Sequence, residues 1–191
     1  MDIIDYFDNC KKIAEDLKHQ NIIISKIIKV LKSVKESGNQ VFLIGNGGSA
    51  SNATHMAADL FKMAGIKAIS LADNIPLFSA YINDDGWEDV YYMELSRLVK
   101  KGDVLIAFSV HGGSGRDKAG EWSQNILRAI DYINNLQDGV TIGFSGFDGG
   151  AMKRICKYCV IVPAISTPLV ESFHSVLAHL IAFSLQEGDR I

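Results

Sequence analysis

The sequence predicts an α/β fold: a doubly wound, five-stranded parallel sheet sandwiched by helices, with an N-terminal helical pair. Three observations predict it. Five short β-rich runs, at 41–44, 68–71, 104–110, 140–145 and 159–162, alternate with helical stretches. The runs are apolar without strict alternation, as expected of strands covered on both faces. Two of them end in turns rich in glycine and hydroxyls, at the strand ends where such sheets bind ligands.

The helical stretches come in order. Ile3, Tyr6/Phe7, Cys10, Ile13 and Leu17 recur every three to four residues and give a first helix one apolar stripe. After His19-Gln20-Asn21 a second helix carries Ile22, Ile23, Ile24, Ile27, Ile28, Val30, Leu31 and Val34. That surface is wider than one stripe. The surplus predicts a second neighbour, another subunit, so residues 1–37 read as oligomerisation helices and 38–191 as one α/β domain. Ser37-Gly38-Asn39 stops the second helix. Further helices are expected at 49–64, 75–81 with 88–100, 121–136 and 150–158. A last one follows from about Pro168 to Gln186, with Pro168 at its first position and Thr167 as cap.

Composition narrows the class. The 191 residues are 48% hydrophobic and 21% charged, which excludes a disordered chain. A chain of this length buries roughly 70% of its unfolded surface and needs no disulfide or structural metal for its core. The formal charge of -3 argues against nucleic-acid binding, which needs a basic face. Three cysteines do not make a disulfide framework, and the lone Cys156-Lys157-Tyr158-Cys159 reads as core packing. No apolar run approaches a membrane span, and Met1-Asp2-Ile3-Ile4-Asp5 is acidic where a signal peptide would be basic. A cytoplasmic protein is the expectation.

The turns point to a ligand. The first strand ends in Gly45-Asn46-Gly47-Gly48-Ser49-Ala50 and opens a helix, so that backbone N–H groups and the hydroxyls of Ser49 and Ser51 suit an anion. The same residues fit a dinucleotide fingerprint, with Asp73 after the second strand, but a lone match is weak. The third strand decides against it. It ends Ser109-Val110-His111-Gly112-Gly113-Ser114, a second such turn that a dinucleotide enzyme does not need. A phosphorylated small molecule with a polar tail fits better, and no nucleotide cofactor is expected.

Acid–base groups sit on two helices. His55 and Asp59 share one face at i and i+4. Glu171 and His179 are eight residues apart on the last helix, about 80° around its axis, so both can look into one cleft. A surface ion pair for the first two and a core role for His179 are the competing readings. His19 and His174 are read as structural.

Together, Gly45–Ala50, Ser109–Ser114, the turn Ser145-Gly146-Phe147-Asp148-Gly149-Gly150 and the late helix make the chain resemble the sugar isomerase (SIS) domain family, and within it the phosphoheptose isomerases. The resemblance implies tetramers with active sites between subunits, and an acid–base pair or a zinc site on positions that fall at His55, Asp59, Glu171 and His179. It makes Asp59 or Glu171 the base and His179 the acid. Asn46, Gly47, Gly48, Ser49, Ser51, Ser109, Val110, His111 and Ser114 become sugar and phosphate contacts, and Asp84 a sugar-hydroxyl contact. This sequence departs from the family pattern with Asp59 for Glu, Glu171 for Gln, His111 for Ser, and an added stretch 115–122 carrying Arg116 and Lys118. Two carboxylates without a metal would raise one pKa; with Zn2+, two imidazoles and two carboxylates form a neutral site. The implied reaction converts sedoheptulose 7-phosphate to an aldose, supplying heptose for surface glycans. A non-catalytic SIS binding module that regulates a replication initiator, and an isomerase or lyase of another phosphosugar, are the alternatives.

Overall fold

The computed structural model describes residues 2–113 and 123–186. The chain begins with α1 (Ile3–Leu17), a one-turn 3-10 helix (Lys18–Gln20) and α2 (Asn21–Ser37). Then come β1 (Gln40–Gly45), α3 (Gly48–Lys62), β2 (Lys67–Ser70), α4 (Ile75–Asp84) and α5 (Val90–Leu98). The remainder is β3 (Val104–Ser109), α6 (Gln124–Asn134), β4 (Val140–Ser145), α7 (Met152–Ile155), β5 (Tyr158–Ile161) and α8 (Thr167–Phe183).

All five strands are parallel, in the order β2-β1-β3-β4-β5. The order reverses between β1 and β3, which opens a crevice at their carboxyl ends. Alternate strand residues point to opposite faces, and here both faces are apolar. Val41, Leu43, Ile106 and Phe108 join a core with α2, α3 and α8, while Phe42, Ile44, Leu105 and Ala107 join Tyr91, Leu95, Ile126 and Ile130 of α5 and α6. The doubly wound prediction holds.

The N-terminal pair is present, docked on the first of these cores. The Asp2 carboxylate accepts from the N–H of Ile4 and Asp5 and caps α1. Of the stripe expected on α1, only Ile13 and Leu17 are buried, and Ile3, Ile4 and Phe7 stand exposed. On α2, Ile24, Ile27, Leu31 and Val34 are buried and Ile22 is exposed, in line with a surface wider than one neighbour needs. Gln20 ties the pair to the edge strand: its amide donates to the Ile161 carbonyl at 2.6 Å and accepts from the Ile161 N–H at 3.0 Å. It serves β5 as a missing strand would.

Some boundaries differ. The stretch expected as helix over 150–158 shortens to α7, because the turn after β4 holds its start: Gly149 N–H reaches the Gly146 carbonyl at 2.8 Å and Met152 N–H the Gly112 carbonyl at 3.0 Å. The last helix begins at Thr167, so Ser166 takes the cap position predicted for Thr167, without a capping hydrogen bond. Cys156 and Cys159 are half-buried free thiols, and burial raises both above the ordinary thiol range. No described helix is long and apolar enough to cross a membrane.

His174 is structural, as expected. It is fully buried on α8 beside Phe108 and Phe144, and its Nε2–H donates to the Ser145 carbonyl at 3.2 Å, with Nδ1 unpartnered. Burial lowers its pKa from 6.5 to about 4. The fold therefore binds neutral imidazole and the unfolded chain takes up the proton first. Stability from this group is complete above about pH 6.5 and drains as pH falls toward 4. The expected loss is about 3 kcal/mol, read from denaturant melts between pH 7 and 4. His174→Gln, which keeps a donor for Ser145 but does not titrate, should flatten that part of the profile.

Candidate active site

The site begins with the turn after β1. Gly47 has φ +58°, a conformation that L side chains avoid, and there the chain reverses into α3. Gly48 matters for space instead. A Cβ on it would meet the Glu171 carboxylate, so its bare backbone leaves room for that side chain against the start of α3. The Ser49 and Ala50 N–H groups bond back to the carbonyls of Asn46 and Gly47 at 3.1 and 3.0 Å. The helix end they form favours negative charge, and the Glu171 carboxylate sits there.

α8 runs along α3 with every fourth residue in contact. Asn52, buried on α3, donates to the Glu171 carbonyl at 3.1 Å and accepts from the Ser175 hydroxyl at 2.5 Å. One turn further on each helix, His179 Nε2 lies 2.9 Å from His55 Nε2. Asp59 Oδ2 lies 3.4 Å from His55 Nε2 and 3.6 Å from His179 Nε2. That oxygen is buried and has no hydrogen-bond partner. His55, Asp59 and His179 thus bring one ligand atom each to a single point, all within 4.8 Å of one another. Two lone pairs and an unshared carboxylate oxygen are a donor set that suits zinc.

Glu171 is not in this group. Its carboxylate instead lines a cavity of about 210 Å3 at the sheet's switch point, with Asn46, Ser49, Ser109, Val110, His111 and Thr167. The four-residue set that the family resemblance implies therefore divides in two: a triad at 55, 59 and 179, and a carboxylate facing the cavity. The physical reason is helix rise, about 12 Å over eight residues, which Glu171 meets by turning toward Gly48.

The second turn builds the opposite wall. The Ser109 hydroxyl accepts from Gly113 N–H at 3.3 Å, and Gly112 N–H bonds the Ser109 carbonyl at 3.1 Å. His111 packs on the Phe147 ring, centroids 4.3 Å apart. Gly47 and Gly48 lie in the first turn between Asn46 and Ser49, which line this cavity, and do not line it themselves. Ser51 is exposed and does not line it, and Asp84 is exposed at the end of α4, accepting from the Asn83 amide at 2.7 Å. Ser114 and the added stretch 115–122 lie outside the described residues.

Several residues at this site escaped the sequence reading. Asn52 joins the two functional helices, and Thr167 lines the cavity. Asn125 on α6 is fully buried and exchanges two hydrogen bonds with Asn46, at 2.9 and 3.0 Å. The Tyr91 hydroxyl donates to the Gly45 carbonyl. Burial raises the Tyr91 phenol above its ordinary range, so it stays a neutral donor. A polar residue on the apolar face of α6 or α3 was the one available signal.

A polar crevice between two glycine turns at the switch point of a parallel sheet, with ionisable groups delivered from α3 and α8, is the arrangement to compare with known proteins. The chain belongs to the SIS domain family, whose sequence profile matches residues 5–117. It is 34% identical over 179 residues to phosphoheptose isomerase 2 of Campylobacter jejuni, covering 90% of this chain and 84% of that protein. It is 32% identical to the phosphoheptose isomerase of a Nitratiruptor species, covering 98% of this chain and 96% of that one. The solved phosphoheptose isomerase of Neisseria gonorrhoeae has the same fold, with a TM-score of 0.84 at 23% identity over 96% of each chain.

Asn52→Ala should cost about 1–3 kcal/mol in denaturant unfolding, because it strips Ser175 of its acceptor and α8 of its tie to α3.

Proposed function

We propose that this chain is an aldose–ketose isomerase of sugar phosphates that converts sedoheptulose 7-phosphate to D-glycero-D-manno-heptose 7-phosphate. The observation that carries the reading is the convergence of His55, Asp59 and His179 on the same two helices, α3 and α8, whose N-terminal ends bring Ser49 and Glu171 to a small polar crevice walled by two glycine turns. The named isomerase relatives, matched over nearly the whole chain, support the substrate.

The reaction moves a proton between C1 and C2 through a cis-enediol. Asn46, Ser49, Ser109 and His111, with backbone of Gly47, Gly48 and Val110, hold the phosphate and hydroxyls and set the carbon chain in register. Asp59, whose Oδ2 lacks a partner, takes the proton from C1. His179 gives one to O2. His55 Nε2, 2.9 Å from His179 Nε2, is within reach to pass it a proton. Asp59 then returns its proton to C2 as O1 gives its own to the deprotonated His179, which leaves the C1 aldehyde and restores both groups. Glu171 holds a hydroxyl from the cavity wall. His55, Asp59 and His179 would also hold Zn2+, and that ion supplies Lewis-acid polarisation of the carbonyl and hydroxyl oxygens.

Asp59→Asn should lower kcat by about 100- to 10,000-fold with binding kept, and Glu171→Gln by about 10-fold. The assay follows aldose formation from sedoheptulose 7-phosphate. The reverse ranking would make Glu171 the base; tight binding with no turnover in the parent would favour a regulatory SIS module. Calorimetric titration with zinc should show one site per chain in the parent and none in Asp59→Asn or His55→Ala.

Residues 1–37 are the proposed assembly element. Exposed Ile3, Ile4, Phe7 and Ile22, and an apolar groove of about 360 Å3 between α1, α2 and α8, leave apolar area that a single chain does not cover. In a tetramer Asp84, away from its own chain's cavity, would serve a neighbour's. Light scattering should give the mass of four chains, and Phe7→Asp with Ile22→Asp should lower it. A cytoplasmic setting, with the product feeding heptose synthesis, follows from the same reading.

A further inference from the structure

We infer that Asn125 is a positioning residue for the reaction, clamping the Asn46 amide so that one N–H is held toward the sugar-phosphate cavity. The inference rests on the isomerase reading above and concerns a residue outside the crevice itself. Donors and acceptors can be counted atom by atom. Asn125 Oδ1 accepts from Ile126 N–H at 2.9 Å, so that oxygen is oriented by its own helix. The same oxygen accepts from Asn46 Nδ2 at 2.9 Å, and Asn125 Nδ2 donates to Asn46 Oδ1 at 3.0 Å. A backbone N–H thereby fixes which way both amides face.

What remains on Asn46 is then determined. One of its two N–H groups is used by Asn125. Its oxygen already takes the Asn125 proton, with the Tyr91 oxygen a further 3.5 Å away. The Tyr91 hydroxyl has a single proton, and the Gly45 carbonyl receives it in a short bond. The second Asn46 N–H is therefore the group left for a ligand, and Asn46 lines the cavity. A donor fixed this way meets a substrate oxygen without ordering a flexible side chain at binding. Asn125 is fully buried on an otherwise apolar helix face beside Ile126, Ala129 and Ile130, so solvent cannot replace its bonds.

The test is a double-mutant cycle on the full chain with sedoheptulose 7-phosphate. Asn125→Leu should lower kcat/KM about 10- to 100-fold, mostly through KM, the size expected for losing one oriented hydrogen bond. Asn46→Ala should cost a similar factor, and the double variant should match Asn46→Ala within about twofold, since both remove one interaction. Losses that multiply, or an unchanged kcat/KM in Asn125→Leu well below its melting temperature, would overturn the inference. Asn125→Ser, too short to reach Asn46, replaces Asn125→Leu if that variant does not fold. A second readout needs no turnover: the side-chain 15N order parameter of Asn46 should exceed about 0.8 in the parent and drop below about 0.6 in either Asn125 variant. An unchanged order parameter sinks the clamp, whereas a parent that does not turn over the heptulose sinks the isomerase reading and leaves the relaxation result to decide the clamp.

Discussion

The contact of α8 along α3 is the constraint on which the site depends. Residues 171, 175 and 179 form a ridge at four-residue spacing and meet 48, 52, 55 and 59 on the facing helix. Each station is chemically distinct. A glycine makes room for a carboxylate, an asparagine bridges a carbonyl and a hydroxyl, and two imidazoles close on an aspartate. The Asn52 hydrogen bonds set the register, so His179 arrives opposite His55 rather than a turn away. Helices fail to slide past one another when a buried polar bridge would be broken by the shift.

The sheet gives this helix pair its place. β1 and β3 are buried on both faces, and their carboxyl ends are where each strand can meet a ligand. The first turn delivers Asn46, Ser49 and the start of α3; the second delivers Ser109 and His111. Because α3 both begins at the first turn and carries His55 and Asp59, part of the crevice wall and the ionisable pair belong to one rigid element. The Glu171 carboxylate on the start of α3 adds a negative charge where the helix dipole favours one.

Much of this was legible in local pattern. Continuous apolar runs such as 104–108 marked strands buried on both faces, and glycine turns after 44 and 109 marked the switch point. The i,i+4 spacing of His55 and Asp59 survives as a pair 3.4 Å apart, since helix geometry fixes that distance without help from the rest of the chain. Glu171 falls in with them only while angle around the axis is weighed and rise along it is not. Asp84 and Ser51 illustrate another limit: a turn or helix residue can match a pattern and still face away from its own chain's cavity. The exposed Ile3, Ile4 and Phe7 follow from the same cause, since periodicity defines a stripe but not what covers it.

Asn52, Asn125 and Tyr91 were invisible in the sequence because their meaning lies in partners 46 to 123 positions away. From the sequence alone came the element types, the two ligand-facing turns and the ionisable inventory, all of which are set by spacings within one helix or one strand–turn unit. The tertiary structure alone decided which carboxylate joins the histidines, which faces the crevice, and which buried amide pairs with the one that lines it. Those outcomes depend on helix rise, on the register of α8 against α3, and on hydrogen bonds that exist only once distant segments have excluded water between them.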